Sequence, residues 1–438
     1  MGEQNEENSL LLEGGVIMEI RDPIHGFIYL SEEEKKIIDT RAFQRLRRIH
    51  QLGTTYLTYP SAVHTRFAHS LGAMHVATLI FDKLIEKRKD ILIEDQEWGK
   101  DGIKKYRQML RLAALLHDIG HAPFSHASDE LFDEPINKHE FMAAEIITKD
   151  EEIRDSIDRI GANYGFTASD IARLITGESF NAPERLLISI FASELDCDKM
   201  DYLLRDSLYT GTKYGTFDLD RILNTLTLIP DYEKGWVIGV EYDGVHAVEG
   251  LILARYYMFT QVYFHKTRRI YDIILEKVLK EMLKEKYGKE KLPTDIDQFL
   301  DLDDYQVIEY AKNSNSKWAD RFVNRRHLKC IEDGSSMIST GDQHYHEIIK
   351  SELESRFGDG IIVDRTQKAP VRFEDESDPT ILVVDKNLET YSFKQIAPVV
   401  AKLEEPIYVF RVYSEPNLEN KIKEYIKMRL IRLKKEDS

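Results

Sequence analysis

The chain has 438 residues, of which 42% are hydrophobic and 31% are charged, a composition that suits one large folded domain and a smaller one. Its formal net charge of −17 disfavours general attraction to nucleic acid and to anionic membranes, so an anionic substrate would need a local basic pocket. The two cysteines, Cys197 and Cys330, exclude a disulfide framework and a cysteine metal site, and they indicate a reducing cytoplasm. No apolar run approaches the roughly 18 residues of a membrane span.

The N-terminal part of the chain predicts two strands followed by helices. The first 15 residues lack the basic start and apolar core of a signal peptide, and we expect a mobile tail there. Residues 16–30 predict two short strands around the turn sequence DPIHG. Ser31 and Glu34 form a capping-box pattern, which predicts a helix to about His50. Apolar residues at helical spacing predict further helices at about 65–89, 102–117, 183–209 and 246–287, the last with a break.

The C-terminal quarter has a different pattern. The runs GIIVDRTQKAPVRF, TILVVD and PIYVFRVYS are rich in β-formers and are separated by Pro, Asp and Gly, and a basic helical pattern ends the chain. We therefore predict a mainly α protein, with a helical body over residues 16–328 and a small α+β lobe over residues 329–438.

The neighbouring residues His117 and Asp118 give the strongest functional signal. They end an apolar helical run in LRLAALLHDIGHAPFSH, and a nitrogen and an oxygen ligand side by side suit a divalent ion such as Zn, Mn, Fe or Co. His69 and Asp198 also lie on apolar helical runs, where an unpaired carboxylate would be costly to bury. A single histidine in such a run is more often a core residue, but the four residues together favour a metal site.

The helix that carries Asp198 has further polar residues on one face. Asp198, Tyr202 and Asp206 are spaced at i, i+4 and i+8, and Lys199 and Arg205 flank them. A cation, a phenol and a carboxylate beside a metal suit a phosphorylated sugar. A charged stripe on a helix is more often simply solvated, but the apolar flanks ISIFA and MDYLL weaken that interpretation.

Basic residues recur in three segments of this acidic chain. They suggest pockets for a polyphosphate, although each one alone could be a surface residue. They are Arg41, Arg45, Arg47 and Arg48 in one predicted helix, Arg66 before His69, and Arg255, Lys266, Arg268 and Arg269 in ARYYMFTQVYFHKTRR. Among the aromatic residues of that last segment we assign Tyr263 to a ligand and expect most of the others to fill the core.

Six motifs follow one another between about residues 17 and 330: DPIHG, IIDTRAFQRLRRIHQLG, YPSAVHTRFAHSLG, LLHDIGHAPFSH, KHE and DCDKMDYLLRD. In this order they resemble the deoxynucleoside triphosphate triphosphohydrolases of the HD-domain superfamily, in the branch whose human member joins a sterile alpha motif to an HD domain. The sterile alpha motif is missing from this sequence. The resemblance implies an HD-type phosphohydrolase domain over residues 16–328 that hydrolyses a dNTP to deoxynucleoside and inorganic triphosphate. It also implies one divalent metal per active site (Mn, Fe, Zn, Co or Mg) and Mg with the nucleotide.

The resemblance also implies roles for individual residues. The metal ligands would be His69, His117, Asp118 and Asp198. The catalytic residues would be His139 and His126, with Glu140 beside His139. The triphosphate contacts would be Arg66, Lys199 and Arg255, with His121 as a further pocket residue. The deoxyribose 3′ side would contact Gln51, Tyr202 and Asp206, and a 2′-hydroxyl would be crowded by Leu52 and Tyr263.

An activator nucleotide (GTP, dGTP or another dNTP) and a homo-oligomer, either a dimer or a tetramer, are implied as well. A guanine-type activator site would use Asp39, Gln44, Arg47 and Arg326, and a second site would keep His265 and Lys266. Met18 stands where the family pattern has a lysine, and Glu241 and Asp243 stand where it has basic residues. The identity and strength of the activator therefore stay open.

Two other functions remain open at the level of the sequence. The histidines at 121, 126 and 139 could hold a second ion, as in two-metal HD phosphodiesterases. The chain could instead be a nucleotide-sensing protein with an inactive site, although the intact ligand set argues against this. No P-loop, dinucleotide-binding glycine pattern or GxSxG motif suggests another chemistry, and we expect neither a membrane nor a nucleic-acid partner.

Overall fold

The computed structural model describes residues 18–134, 136, 138–231, 234–334, 340–369 and 381–436. The expected N-terminal tail, residues 1–15, lies outside these ranges. Helices account for most of the described residues. In chain order they are α1 (Glu32–Ile38), α2 (Arg41–Arg45), α3 (Arg66–Glu94), α4 (Gly99–Leu116), α5 (His139–Lys149), α6 (Glu151–Gly161), α7 (Ala168–Ile175), α8 (Ala182–Phe191), α9 (Cys197–Thr210), α10 (Leu219–Thr225), α11 (Val245–Met258), α12 (Lys266–Tyr287), α13 (Ile296–Leu300), α14 (Asp304–Asn313), α15 (Lys317–Val323), α16 (Thr340–Phe357), α17 (Phe393–Ile396), α18 (Pro398–Ala401) and α19 (Glu419–Glu436).

The strands of the described residues form three small sheets. They are β1 (Met18–Asp22), β2 (Gly26–Leu30), β3 (Leu226–Asp231), β4 (Gly235–Glu241), β5 (Lys329–Asp333), β6 (Ile361–Lys368), β7 (Leu382–Val384), β8 (Thr390–Ser392) and β9 (Ile407–Ser414). β1 and β2 form an antiparallel hairpin, and the second sheet has the order β3-β4-β7-β8, with β4 and β7 parallel. The third sheet has the order β5-β9-β6 and is antiparallel.

The two long helices α3 and α4 pack against each other and form the centre of the helical body. The N-terminal half of α3 also packs against α9, so three helices that are distant in the sequence meet near one point. Their buried faces are lined by aliphatic residues such as Met74, Leu112 and Leu203, each with 0% exposure. A second, smaller apolar core lies in the C-terminal lobe around Ile349, Phe410 and Ile422. The apolar packing thus fixes the region from which the candidate ligands project.

The fold class is confirmed: the protein is mainly α, with a helical body and an α+β C-terminal lobe. The hairpin around DPIHG is confirmed, and so is the break in the helix predicted over 246–287, where a π-helical turn at Phe259–Tyr263 separates α11 from α12. The division at residue 328 stays a prediction. None of the described helices is long and apolar enough to cross a membrane.

Two helices predicted as continuous are in fact interrupted. The helix predicted from Ser31 to about His50 ends at Ile38, because Thr40 takes an extended conformation and its side chain caps α2. The helix predicted over 183–209 ends at Phe191 and restarts at Cys197. Asp196 caps the second part, α9, and accepts a hydrogen bond from the backbone N–H of Lys199. Capping side chains within an apolar pattern therefore decide both breaks.

Candidate metal centre and nucleotide pocket

Four side chains from three helices converge at one point. His69 lies in the first turn of α3, His117 and Asp118 follow α4 directly, and Asp198 lies in the first turn of α9. The Nε2 atom of His69 lies 2.9 Å from Asp198 Oδ1 and 3.6 Å from Asp118 Oδ2. The Nε2 atom of His117 lies 3.3 Å from Asp118 Oδ1 and 3.6 Å from Asp198 Oδ1. His69, His117 and Asp118 form a group that could hold a metal ion, and the carboxylate of Asp198 lies close enough to both histidines to be a fourth ligand.

Both histidines of this group are oriented through their other ring nitrogen. The Nδ1 atom of His69 is 2.8 Å from Asp201 Oδ2, and the Nδ1 atom of His117 is 2.7 Å from the carbonyl oxygen of Ala114. If each Nδ1 donates, each Nε2 is left as an unprotonated ligand atom. Both Nε2 atoms are buried, and neither makes a hydrogen bond of acceptable geometry with any described residue. A bound cation would satisfy both.

The carboxylates give this point a strongly negative character. Burial lowers the pKa of His69, but the adjacent carboxylates of Asp198, Asp201 and Asp118 outweigh burial and raise that pKa to about 10. Burial raises the pKa of Asp198, but His117 and His69 hold it well below its usual range. Without a metal ion, these carboxylates favour a proton on the histidine. A divalent cation would displace that proton, because histidine binds metal in its deprotonated form, and the same carboxylates would then stabilise the cation.

Three predicted triphosphate contacts lie around this group and are almost fully buried. Arg66 donates from Nη1 to Asp118 Oδ2 at 2.5 Å and from Nε to Ser125 Oγ at 2.6 Å. The side chains of Arg66, Lys199 and Arg255 are only 4%, 15% and 13% exposed. Each of these cations is paired with a carboxylate, namely Asp118, Asp196 and Glu194 in turn, so they form a cluster of buried ion pairs in a protein of net charge −17.

Lys199 and Arg255 each have an acidic partner in the loop between α8 and α9. Lys199 donates from Nζ to Asp196 Oδ2 at 2.7 Å and to the carbonyl oxygen of Ser193 at 2.5 Å. Arg255 donates from Nη1 to Glu194 Oε2 at 2.6 Å. The same loop lines a separate cavity of about 270 Å³ between α8 and β4 that does not contain the predicted ligands. That cavity is lined mainly by apolar and small residues, whereas the candidate ligands and their neighbours form a charged cluster.

The residues expected around the sugar form a connected group. Asp206 is 2% exposed; its Oδ1 lies 2.7 Å from His64 Nε2, and its Oδ2 accepts from the Tyr263 hydroxyl at 2.7 Å. The rings of Tyr202 and Tyr263 are 6.3 Å apart. Burial raises the pKa of Tyr202 to about 12, so its hydroxyl keeps its proton and can donate. Gln51 is buried, and its Oε1 lacks a hydrogen-bond partner within the described ranges.

A second set of possible ligand or proton-transfer groups adjoins the first. The rings of His121 and His139 stack with their centroids 3.8 Å apart, and ligand atoms of His121, Asp129 and His139 lie within 4.8 Å of one another. His121 Nε2 also lies 3.2 Å from Asp118 Oδ1, and Glu140 Oε2 lies 3.5 Å from His139 Nδ1. The side chain of His126 lies outside the described part of the structure. Asp129 was not identified from the sequence.

The turn between His121 and Asp129 is strained and is held by a distant element. Phe124 and Ser125 have φ values of 56° and 49°, which non-glycine residues rarely adopt. Asp304, at the start of α14, accepts a hydrogen bond from the Phe124 N–H at 2.7 Å and another from the His50 N–H at 2.8 Å. Neither Asp304 nor this strain could be inferred from the local sequence, because the partners are 180 residues apart.

Several basic residues that the sequence suggested for polyphosphate have other partners. Arg205 is 0% exposed and pairs with Asp201 and Asp22 rather than facing the pocket. Arg45 is buried and donates to the backbone oxygens of Leu302 and His121. The remaining pairs are exposed or structural, and they are Arg41 with Asp297 and Asp301, Arg48 with Asp303, Arg268 with Asp272, and Arg269 with Asp364.

The contacts of the predicted activator residues involve none of the four candidate ligands. Asp39 ends α1, and Gln44 in α2 donates to the carbonyl oxygen of Ile38 and accepts from Arg47 Nε at 2.8 Å. Arg47 lies over the ring of Phe67 at 3.5 Å. Of the other predicted members, Arg326 pairs with Asp320, His265 caps α12 and Lys266 begins that helix. Glu241 and Asp243, which stand where the family has basic residues, contact Lys87 and Arg221: the Glu241 carboxylate pairs with Lys87, and the Asp243 carbonyl accepts from Arg221.

Family comparisons agree with this arrangement. Residues 66–206 match the model of the HD domain, and residues 217–437 match the model of the HD associated region. The first match begins at Arg66 and ends at Asp206, so it contains all four candidate metal ligands. Together the two matches cover most of the chain.

Similar proteins from several organisms agree with these two family matches. MJ1154 of Methanocaldococcus jannaschii is 36% identical over 311 residues, 70% of this chain and 58% of that protein, so the chain spans less than two thirds of this relative. YwfO of Bacillus subtilis is 33% identical over 337 residues, 71% of each chain. The deoxynucleoside triphosphate triphosphohydrolase SAMHD1 homolog of Dictyostelium discoideum is 27% identical over 396 residues, 87% of this chain and 69% of that one. A crystal structure of an Aquifex aeolicus protein has a TM-score of 0.75 at 30% identity and covers 93% of this chain and 99% of its own.

A metal centre built from a His-Asp pair, an upstream histidine and a downstream aspartate, on helices of this arrangement, defines an HD-type phosphohydrolase. This chain belongs to the HD-domain family, in the group that includes the SAMHD1-type proteins, and it carries the HD associated region.

Proposed function

We propose that this protein hydrolyses deoxynucleoside triphosphates to deoxynucleoside and inorganic triphosphate, with one divalent ion held by His69, His117, Asp118 and Asp198. The observation that carries the proposal is the meeting of these two imidazoles and two carboxylates, at separations of 2.9–3.6 Å, beside three buried cations. The substrate class is supported by the relatives named as SAMHD1-type deoxynucleoside triphosphate triphosphohydrolases.

The metal site and the three buried cations would have different roles in catalysis. A divalent ion, when bound, supplies Lewis-acid activation of water and offsets phosphate charge. Arg66, Lys199 and Arg255 bind the triphosphate and offset the charge that develops as the α-phosphorus is attacked. Because Arg66 is already fixed by two short hydrogen bonds, little ordering cost is left for it when substrate binds.

His139 is suited to protonate the departing 5′-oxygen as the bond from the α-phosphorus to that oxygen breaks, and His126 is the second candidate. Burial lowers the pKa of His139 below its usual value, because the carboxylates of Glu140, Asp118 and Asp129 offset the effect of burial only in part. The negative charge of a bound triphosphate would add to those carboxylates and favour the imidazolium. His121, stacked on His139, keeps that ring in place.

A preference for deoxyribose over ribose would come from the residues around Asp206. Asp206 and Tyr202 can bond the 3′-hydroxyl, and the unpartnered Oε1 of buried Gln51 offers a further acceptor. Leu52 and Tyr263 are buried at 4% and 9% exposure and supply rigid apolar bulk that a 2′-hydroxyl would have to displace.

We further propose regulation by a bound nucleotide, GTP, dGTP or another dNTP, in a homo-oligomer. Asp39, Gln44, Arg47 and Arg326 would form one activator site, and His265 and Lys266 would belong to a second. The hydrogen-bonded pair formed by Gln44 and Arg47, with the guanidinium stacked on a ring, supports the first site, since such a plane can also stack on a base.

The test is product analysis. The purified protein is incubated with Mn²⁺ or Mg²⁺ and the four dNTPs, singly and mixed, and the products are resolved by ion-exchange chromatography. We expect deoxynucleoside and inorganic triphosphate, with turnover only in mixtures if an activator is required. The control carries both His117→Ala and Asp118→Ala and should neither bind metal nor turn over; an intact rate in that variant would refute the proposal.

One alternative has a specific observation in its favour. The ligand atoms of His121, Asp129 and His139 are close enough to hold a second ion, which would suit a two-metal phosphodiesterase. Two metal ions per chain, together with nucleoside monophosphate and pyrophosphate as products, would favour that reaction. Saturable nucleotide binding without turnover would favour a sensing protein instead.

A further inference from the structure

The N-terminal hairpin reaches the candidate metal centre through a buried carboxylate. His25 lies in the turn between β1 and β2, and its Nε2 lies 2.7 Å from Asp201 Oδ1. The side chains of His25 and Asp201 are 3% and 0% exposed. Asp201 is also the residue that bonds Nδ1 of His69. One carboxylate therefore joins a turn near residue 25 to a ligand on α3.

The hydrogen-bonding capacity of Asp201 is fully used. Its Oδ1 bonds His25 Nε2 at 2.7 Å and Arg205 Nη2 at 2.7 Å, and its Oδ2 bonds His69 Nδ1 at 2.8 Å and Arg205 Nε at 2.8 Å. Each carboxylate oxygen of Asp201 accepts two hydrogen bonds, so neither oxygen has room for a further donor. The orientation of the His69 ring is thus fixed by the group that also holds the hairpin turn.

Asp22 completes the connection from the side of the hairpin. Its Oδ2 accepts from Arg205 Nη1 at 2.8 Å, and its Oδ1 accepts from the backbone N–H groups of Ile24 and His25 at 2.9 and 3.0 Å. The last two bonds set the shape of the turn that presents His25. The connection from the hairpin to the candidate ligand His69 therefore consists of buried or partly buried hydrogen bonds to ionised carboxylates.

We propose that the turn of the N-terminal hairpin is part of the metal centre, and that His25 and Asp201 are positioning residues that hold His69 with Nε2 toward the ion. A carboxylate on the far nitrogen of a ligand histidine fixes its tautomer and raises its basicity, and loss of such a partner typically weakens metal binding by about 10- to 100-fold. Coupling of this kind is reciprocal, so bound metal must also stabilise the turn. The inference rests on the proposed function only in taking His69 as a ligand.

The first test measures metal affinity. Mn²⁺ is titrated calorimetrically into the metal-stripped full chain for the wild type, His25→Ala, His25→Gln and Asp201→Asn. We expect about 10- to 100-fold weaker binding for His25→Ala and Asp201→Asn, and partial recovery for His25→Gln, whose amide can still donate to Asp201. The matched control is His75→Ala. The His75 ring lies 5.2 Å from that of His25, but it forms no hydrogen bond within the described ranges, and its loss should leave the Kd for Mn²⁺ unchanged.

The second test uses only the wild type and so does not depend on whether a variant folds. Amide hydrogen exchange over residues 18–30 of the wild type should slow when Mn²⁺ binds. Binding by His25→Ala equal to that of the wild type, or exchange in the hairpin unaffected by Mn²⁺, would overturn the inference. Failure of dNTP hydrolysis with these metal effects intact would overturn the proposed reaction and leave the inference standing.

Discussion

The substitution Gly72→Ala should destabilise the protein although it lies in the interior of a long helix. Alanine in place of glycine in a helix ordinarily stabilises by about 0.5–1 kcal/mol. At this position a Cβ atom would lie 1.9 Å from Asp201 Oδ1 and 2.4 Å from Arg205 Nη2. Neither group can move freely, because Asp201 is held by four hydrogen bonds and Arg205 is 0% exposed.

The size of the expected loss in the free energy of unfolding follows from the groups that the added methyl group would displace. Breaking a buried ion pair costs about 3–5 kcal/mol, and forcing an extra carbon into a packed site costs about 1–3 kcal/mol. Allowing for partial relaxation and for the gain in helix propensity, we expect the free energy of unfolding to fall by about 3 kcal/mol. The affinity for Mn²⁺ should fall as well, since the same carboxylate orients His69.

The matched control is Gly250→Ala, a glycine in the interior of α11. The nearest atom to a Cβ there is Phe217 Cβ at 4.0 Å, an ordinary contact, so the usual gain of about 0.5–1 kcal/mol is expected. Urea denaturation followed by circular dichroism compares both variants with the wild type. The two variants should shift the midpoint in opposite directions. A Gly72→Ala variant as stable as the wild type would refute the claim that the Asp201–Arg205 pair is rigid.

Two further predictions concern single polar groups. Burial raises the pKa of Glu34, but ion pairing with Arg111 outweighs it and lowers that pKa from 4.5 to about 2. The group is therefore more acidic in the folded state, and its contribution of about 3 kcal/mol is present above pH 4.5 and is lost as the pH falls toward 2. Glu34→Gln should be less stable at pH 7 and should show a smaller loss of stability on acidification in denaturation at several pH values. Tyr263→Phe removes the hydrogen bond to Asp206 and keeps the ring, so the KM for a dNTP should rise about tenfold while the preference for deoxyribose over ribose is retained in steady-state kinetics. A lost preference would show that the hydroxyl, rather than the bulk of the ring, excludes the 2′-hydroxyl.

The sequence could predict the parts of the site that local patterns carry. His117 and Asp118 end an apolar helical run, and His69 and Asp198 interrupt others, so helix packing alone brings them together. It could not predict Asp201, because a carboxylate that bonds a ligand histidine has the same local pattern as a solvated one. Only the approach of α9 to α3 distinguishes the two.

The breaks in the predicted helices were missed for a different physical reason. Apolar periodicity continues through residues 183–209, so the pattern predicts one helix, whereas the capping bonds of Asp196 stop it. The C-terminal lobe was predicted in outline, because β9 and α19 have clear patterns. The pairing of β4 with β7 joins residues more than 140 positions apart, and no local signal specifies it.

The break between α8 and α9 has a consequence for substrate binding. It supplies the acidic loop that holds Lys199 through Asp196 and Arg255 through Glu194, each with most of its side chain buried. A buried guanidinium left unpaired would cost several kcal/mol, and Glu194 supplies the partner of Arg255 in the structure. On the function proposed above, a triphosphate that contacts Arg255 would replace Glu194, so binding would be an exchange of anions with a net gain smaller than the full attraction between a cation and a phosphate. Because the cost of releasing Glu194 is the same for every anion, only the stronger attraction of the more highly charged one would favour a triphosphate over a monophosphate.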